Sequence, residues 1–280
     1  MMAGIRLVTD SASDLDREEM TERGVGIVQL DVRLGEVGPE VTSAWTPEEF
    51  WERCAATDVL PETSAPSPGA FRAAFEEAGK AGASGVVCVT LSSKLSATYQ
   101  AAAAAASGAG LPVTVVDSMS VTMGEGLAVL AGLEAAEQGA GLPEVESEVR
   151  SALGRIRVYG TFDTLDNLRK GGRVGGAQAI VGSLLSIKPV VEIRDGRVEP
   201  ESRQRTRSRS LEYLASKVRG AGPLERLAVM HAAAPDVDVL VAMLKEIFDG
   251  DEIVVTYIGP VIGTHSGPRA LGVCFELAAP

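Results

Sequence analysis

Five hydroxyls crowd one joint of this sequence: Ser92, Ser93, Ser96, Thr98 and Tyr99, between the apolar run GVVCVTL and an alanine stretch. Hydroxyls at a strand end and a helix start can hold a small anion, because the helix N-terminus adds free N–H groups and a positive dipole. Any one of these serines could instead be an N-cap. That role does not account for Ser92, Ser93 and Ser96 together. Thr63 and Ser64 add two more hydroxyls in PETSAPSPGAF (61–71), where Ser67 reads as a helix cap and Pro68 as the first helical residue.

Cations and an imidazole follow further along. LRKGGRVGG (168–176) is a surface loop in its plain reading, but its glycines permit close backbone approach and Arg173 can meet an anion. No GKS or GKT follows it and GxGxxG is absent, so nucleotide binding by either familiar route is unsupported. In ESRQRTRSRS, Arg203, Arg205, Arg207 and Arg209 alternate; this reads as a solvated helix start or as a basic patch for an acidic partner. His265 lies among Thr264, Ser266 and glycines in IGPVIGTHSGPRALG (258–272), either in a glycine-rich connection between strands or at a polar site, the latter being favoured. His231, in AVMHAAAP, reads as a core residue. A serine hydrolase lacks its G-x-S-x-G elbow here.

These residues need a scaffold, and the composition permits one. The chain has 280 residues, 45% of them hydrophobic and 23% charged, which is enough for two packed domains and excludes a wholly disordered chain. With 26 basic and 38 acidic residues the formal charge is −12, which disfavours non-specific nucleic-acid binding. Cys54, Cys88 and Cys274 are far apart and form no CxxC or Cys/His cluster, so no metal site is expected; Cys88, inside VVCVTL, reads as a small buried hydrophobe. MMAGIRLVTD enters a strand pattern at once, without signal-peptide architecture, and no run of 18 apolar residues follows. The expectation is a cytoplasmic, soluble protein.

In the first half, β-branched runs alternate with helical patterns, which predicts βα units and a mostly parallel sheet. A helix is expected from Ser13, with Asp16 completing its start signal and Gly24 as its stop. The strand ends VTDSAS (8–13), VTLSSKLS (89–96) and VVDSMS (115–120) would share one edge, where ligands usually bind in open parallel sheets. After GLPEVESEVRSALGRI the character changes. An apolar helical pattern AIVGSLLS precedes IKPVVEIRDGRVEPE, a hairpin about Asp-Gly. A helix near 206–219, a strand LAVMHAA, a helix VDVLVAMLKEIF and two last strands, EIVVTYIGPVIG and ALGVCFEL, complete a second α/β domain with a mixed sheet.

The segments VTDSASDL, TSAPSPGAF, VTLSSKLSATYQAA, VVDS, LDNLRKGGRV, LLSIKPVV and VIGTHSGPRALG, in this order, resemble the DegV family. Its members are bacterial fatty-acid-binding proteins that serve as the B component of fatty acid kinase, and the likeness spans essentially the whole chain. It implies two α/β domains, here 1–152 and 153–280, with a long-chain fatty acid in a buried tunnel between them. It implies that Thr63 and Ser93 hold the carboxylate, with Ser64, Ser92 and Ser96 as near alternatives. An ATP-dependent kinase subunit would phosphorylate the bound acid, with Arg173, Arg205 and His265 near the head group or facing that partner. The chain would then be a carrier with no catalytic residue and no cofactor or metal of its own. Ala97, Ala65 and Arg269 stand where the family commonly has Gly, Gln and Gly. The competing readings are a hydrolase or transferase acting on a small acid or acyl ester, and a lipid-responsive regulatory module.

Overall fold

The structure, a computed structural model, describes residues 4–180, 187–250 and 252–279. The chain begins with β1 (Ile5–Asp10), α1 (Arg17–Glu22), β2 (Gly26–Val28), β3 (Asp31–Arg33), α2 (Pro39–Thr42), α3 (Pro47–Ala55), β4 (Glu62–Ser64) and α4 (Pro68–Lys80). It continues with β5 (Gly85–Thr90), α5 (Thr98–Ala106), β6 (Val113–Asp117), α6 (Met123–Glu137) and α7 (Leu142–Arg155). Next come β7 (Ile156–Thr161), α8 (Asp166–Lys170), β8 (Lys188–Arg194), β9 (Arg197–Gln204) and α9 (Arg207–Arg219). It ends with β10 (Leu224–His231), α10 (Val237–Lys245), β11 (Ile253–Tyr257), α11 (Pro260–Ser266) and β12 (Leu271–Leu277).

Two compact units result, Met1–Asp31 with Ser64–Gly154, and Val32–Thr63 with Arg155–Pro280. The chain therefore crosses between units at Asp31/Val32, Thr63/Ser64 and Gly154/Arg155. The excursion Val32–Thr63 sides with the second unit because α3 is anchored there. Trp51 is buried and its Nε1 donates to the Ile258 carbonyl at 2.9 Å. Gly263 on α11 makes this approach possible, since a Cβ at that position would lie 2.7 Å from the Trp51 ring.

In the first unit the sheet runs β2-β1-β5-β6, every pairing parallel, as the βα rhythm predicts. All six residues of β5 are buried, which is why GVVCVT reads as an unbroken apolar run: helices cover both faces. On one side Val8, Val86 and Cys88 pack with Phe71 and Phe75 of α4 and with Ala101, Ala102 and Ala105 of α5. On the other lies α6, with most of its residues from Met123 to Leu133 buried. Its glycines set how closely it is approached. A Cβ on Gly126 would sit 2.9 Å from the Ser13 carbonyl oxygen, and one on Gly132 would sit 2.5 Å from Val149.

The second unit carries the mixed sheet β11-β10-β12-β7-β8-β9, in which β10 and β11 are parallel and the other pairings antiparallel. Leu211, Leu214 and Val218 of α9 and Leu240 and Leu244 of α10 pack on Val229, Leu271, Val273 and Phe275. The Asp-Gly hairpin is present: Asp195 and Gly196 turn at φ 51° and 75°, both left-handed as a tight hairpin requires.

Three local expectations are corrected. The first helix starts at Arg17, capped by Asp16, whose carboxylate accepts the Glu19 N–H. Ser13 belongs to a preceding 3₁₀ turn, Ser11–Ser13, with its hydroxyl donating to the Asp10 carbonyl. The second is PVIGTHS, which is helix α11 and neither a strand end nor a loop, because Pro260 at the first helical position needs no N–H partner. The third is the N-cap at the hydroxyl joint: α5 starts after Ala97, and no side chain caps it. Of the expected helical pattern AIVGSLLS (179–186), Ala179 and Ile180 end the 3₁₀ turn Gly175–Ile180, and residues 181–186 lie outside the described residues.

The glycine clearances lead to a paired prediction. Gly126→Ala should destabilise the protein by about 1–3 kcal/mol, as the new methyl meets backbone oxygen. Gly154→Ala, in α7 with nothing within 4 Å of the built Cβ, should stabilise it by about 0.5–1 kcal/mol. Denaturant midpoints of the two variants check both signs.

Candidate functional site

In the first unit the three hydroxyl-rich strand ends lie together at the C-terminal edge of the parallel sheet, tied by backbone bonds. The Ser92 N–H donates to the Ser120 carbonyl at 2.9 Å and the Ser118 N–H to that of Thr90 at 3.0 Å. Ser92 is buried, and its hydroxyl accepts the Lys94 N–H at 3.2 Å, so it shapes the turn. Ser96 and Thr98 share a hydrogen bond of 2.8 Å between their hydroxyls. Ser93 differs. Its N–H is fixed on Asp117 Oδ1 at 3.1 Å, while its hydroxyl has no hydrogen bond among the described residues. Ser64 is exposed and donates to Asp31 Oδ2 at 3.3 Å.

Two residues that the sequence reading passed over hold this joint. Asp10 accepts the Ala12 N–H on Oδ1 and the Leu91 N–H on Oδ2, both at 2.9 Å. Asp117 accepts the N–H groups of Ser93 and Met119 on one oxygen, at 3.1 and 3.0 Å. The available signal was the repeat itself: VTDS and VVDS each place an aspartate on the last residue of a strand, where backbone N–H groups leave the ladder and need acceptors.

The second unit gathers Thr63 and His265. The Thr63 hydroxyl lies 2.9 Å from His265 Nε2, either group donating according to the imidazole tautomer. His265 sits in the last turn of α11, backed by α8: Asn167 Nδ2 donates to the Thr264 carbonyl at 3.3 Å. A Cβ on Gly171 would lie 2.4 Å from His265 Nδ1, so the glycine pair in RKGGRV makes room for the ring. Nδ1 is buried with no hydrogen-bond partner among the described residues, so no carboxylate orients the ring as in a nucleophile–base pair. Burial, and then the Arg173 charge, pull the His265 pKa down to about 4, so the imidazole is neutral at physiological pH. Arg173 is exposed, its Nη1 donating to the Gly171 carbonyl at 2.6 Å. Arg205 is exposed in the turn before α9 and lies outside this group, while Arg207 is engaged by Asp236 through bonds of 2.8 and 3.0 Å. His231 packs against Tyr257, with ring centroids 4.2 Å apart, as a core residue would. Among the described residues no three His, Cys, Asp or Glu side chains could together hold a metal ion.

Because the folded state keeps His265 neutral while the unfolded chain protonates it near its ordinary value of 6.5, this residue removes stability as pH falls from about 6.5 to 4. His265→Gln should flatten that part of the profile, seen as a shrinking difference between variant and parent midpoints on acidification.

A family model described as "Uncharacterised protein, DegV family" matches residues 4–278. A DegV domain-containing protein of Streptomyces coelicolor is 36% identical over 282 residues, covering 98% of each chain. One from Listeria monocytogenes is 34% identical over 278 residues, covering 98% of this chain and 99% of its own. Among solved structures, a fatty-acid-binding DegV family protein of Thermus thermophilus superposes with a TM-score of 0.86 at 32% identity, covering 98% of this chain and 100% of that one. DegV of Bacillus subtilis, described as a fatty acid binding protein, gives 0.85 at 30%, covering 99% and 100%. The parallel first sheet, the mixed second sheet and the motif order agree with these matches, and the chain belongs to the DegV family.

Proposed function

We propose that this protein binds a long-chain fatty acid, enclosing its tail and holding its carboxylate on hydroxyls, and presents that carboxylate to an ATP-dependent kinase subunit for acyl-phosphate formation. The observation that carries the reading is the Thr63–His265 pair. A hydroxyl and a neutral imidazole, with the Arg173 charge acting on the ring and no carboxylate acting on it among the described residues, offer donors to an anion. The fixed backbone and spare hydroxyl of Ser93 supply a second donor of the same kind. Fatty-acid binding by the Thermus and Bacillus relatives supports the choice of ligand.

The energetics suit a carrier. Burial is worth roughly 0.8 kcal/mol per CH₂, so a tail of ~15 methylenes offers on the order of 12 kcal/mol before the costs of binding. The tail supplies most of the affinity, and the hydroxyls orient the head group and spare it an unpaired buried charge. Ser64 and Ser96 would be lesser contacts, since each already has a polar partner.

Organic extraction of the purified protein followed by mass spectrometry should yield a stoichiometric long-chain fatty acid. Repeated extracts without one, together with no binding on titration, would overturn the reading, and turnover of added acyl esters would replace it with a hydrolase. Thr63→Ala and Ser93→Ala should each cost about 1.5–3 kcal/mol, or about ten- to hundredfold in affinity, with the fold intact.

Holding and delivery separate at Arg205. The exposed Arg205→Ala variant should keep its fatty acid and lose phosphorylation at low kinase concentration, recovering as partner is added. His265→Ala should weaken both, because its ring bonds to Thr63. Fatty-acid titration beside kinase turnover against partner concentration tests the division; parallel loss of both activities in Arg205→Ala refutes it.

A further inference from the structure

Behind the hydroxyl joint lie two carboxyl groups that the ligand reading does not use. Asp10, at the end of β1, and Glu125, in the first turn of α6, are both fully buried. Glu125 Oε1 accepts the Thr9 hydroxyl at 2.7 Å, the Asp10 N–H also serves the Glu125 carboxyl, and Oε2 has no partner among the described residues. The charges acting on Glu125 are those of Asp10 and Asp14, and the buried Cys88 thiol feels those of Asp10 and Glu125. The joint itself adds the exposed Lys94 and the half-buried Asp117, the latter already engaged with two N–H groups. Among the described residues no cation acts on either carboxyl. Two like charges in a dry site cannot both ionise at modest cost, so the pair retains a proton near neutrality.

The two groups are not equivalent. Asp10 accepts two backbone N–H bonds, which favour its ionised form, whereas Glu125 Oε2 has no donor among the described residues. We propose that Asp10 and Glu125 are positioning residues for the Ser92–Ser96 joint and act as a proton-dependent clamp, Glu125 storing the proton while the ionisation of Asp10 sets the grip on the Leu91 N–H. An ionised Asp10 makes charge-assisted bonds to Ala12 and Leu91. Protonation converts one of its oxygens to a hydroxyl, a poorer acceptor facing an N–H, and the joint loosens. Burial pushes the Asp10 carboxyl up to about 7 and that of Glu125 well above its ordinary range, which places the change at Asp10 near neutral pH.

Local grip and global stability then respond in opposite directions. The folded protein keeps on Asp10 a proton that the unfolded chain releases near 3.8, so this group's contribution to stability falls as pH rises from about 4 to 7. Over the upper part of that range the hold on Leu91 tightens. A purely structural acid pair would move stability alone.

The test has two arms, and only the second rests on the fatty-acid reading. In the first, the amide resonances of Leu91 and Ser93 are followed between about pH 5.5 and 9. The parent protein should show a transition near 7, Glu125→Gln should retain one, and Asp10→Asn should abolish it. A flat Leu91 amide in the parent, or a transition that survives in Asp10→Asn, overturns the proposal; should Asp10→Asn not fold, the parent and Glu125→Gln decide. In the second arm oleate is titrated at about pH 8 and pH 6. The parent should bind about three- to tenfold more weakly at the lower pH, and Asp10→Asn should lose that difference. Equal pH dependence in both proteins refutes the coupling to the joint. Absence of oleate binding at every pH removes the fatty-acid reading, while the amide transition still decides the shared proton.

Discussion

Everything at the hydroxyl joint depends on one constraint: backbone N–H groups that leave a parallel sheet must find acceptors before they are buried. Asp10 and Asp117 meet it, each placed on the last residue of a strand and each accepting two N–H groups from the turns beyond. Their bonds also hold backbone that would otherwise relax. Met119 and Thr122 sit at φ 49° and 50°, uncommon for residues with side chains, and the Thr122 N–H is anchored on the Ala12 carbonyl at 2.8 Å. The turns between strand and helix are thereby built to a fixed shape, and the serines ride on that shape.

The second unit reaches a comparable result by clearance. Gly171 leaves space for the imidazole of His265, Gly263 leaves space for Trp51, and Pro260 begins the short helix that carries both constraints. Arg269, at φ 62° in the region that favours glycine, gives its N–H to the Ala232 carbonyl at 2.7 Å and its Nε to Asp163 at 2.9 Å. An ion pair here accompanies a conformation that glycine would adopt without strain.

The architecture was legible because burial leaves periodic traces. VVCVTL was recognisable as an apolar strand, and Asp-Gly between two β-branched runs as a hairpin. Hydroxyl types were legible too, but their partners were not. Ser13 and Ala97 show why: which residue caps a helix depends on where the preceding turn ends, a matter of one or two residues that periodicity does not resolve. α11 was missed because a seven-residue helix with a glycine inside it and one at each end has too little pattern to stand out. The Thr63–His265 bond joins residues 202 positions apart. Asp10 and Glu125 stayed hidden because a carboxylate reads as surface by default, and only the fold shows it sealed in.

The excursion Val32–Thr63 imposes an order of events during synthesis. Trp51 waits for the carbonyl of Ile258, 207 residues later in the chain. At about 5–20 residues per second a ribosome needs roughly 10–40 s to supply it. Once Gly154 has been made, about halfway through that interval, the first unit can close its sheet, while the apolar side chains of α3 still lack their permanent cover. The nascent chain thus carries a folded unit beside an unsatisfied Trp51–Phe50 pair, a surface on which a holdase can act until the last strands emerge.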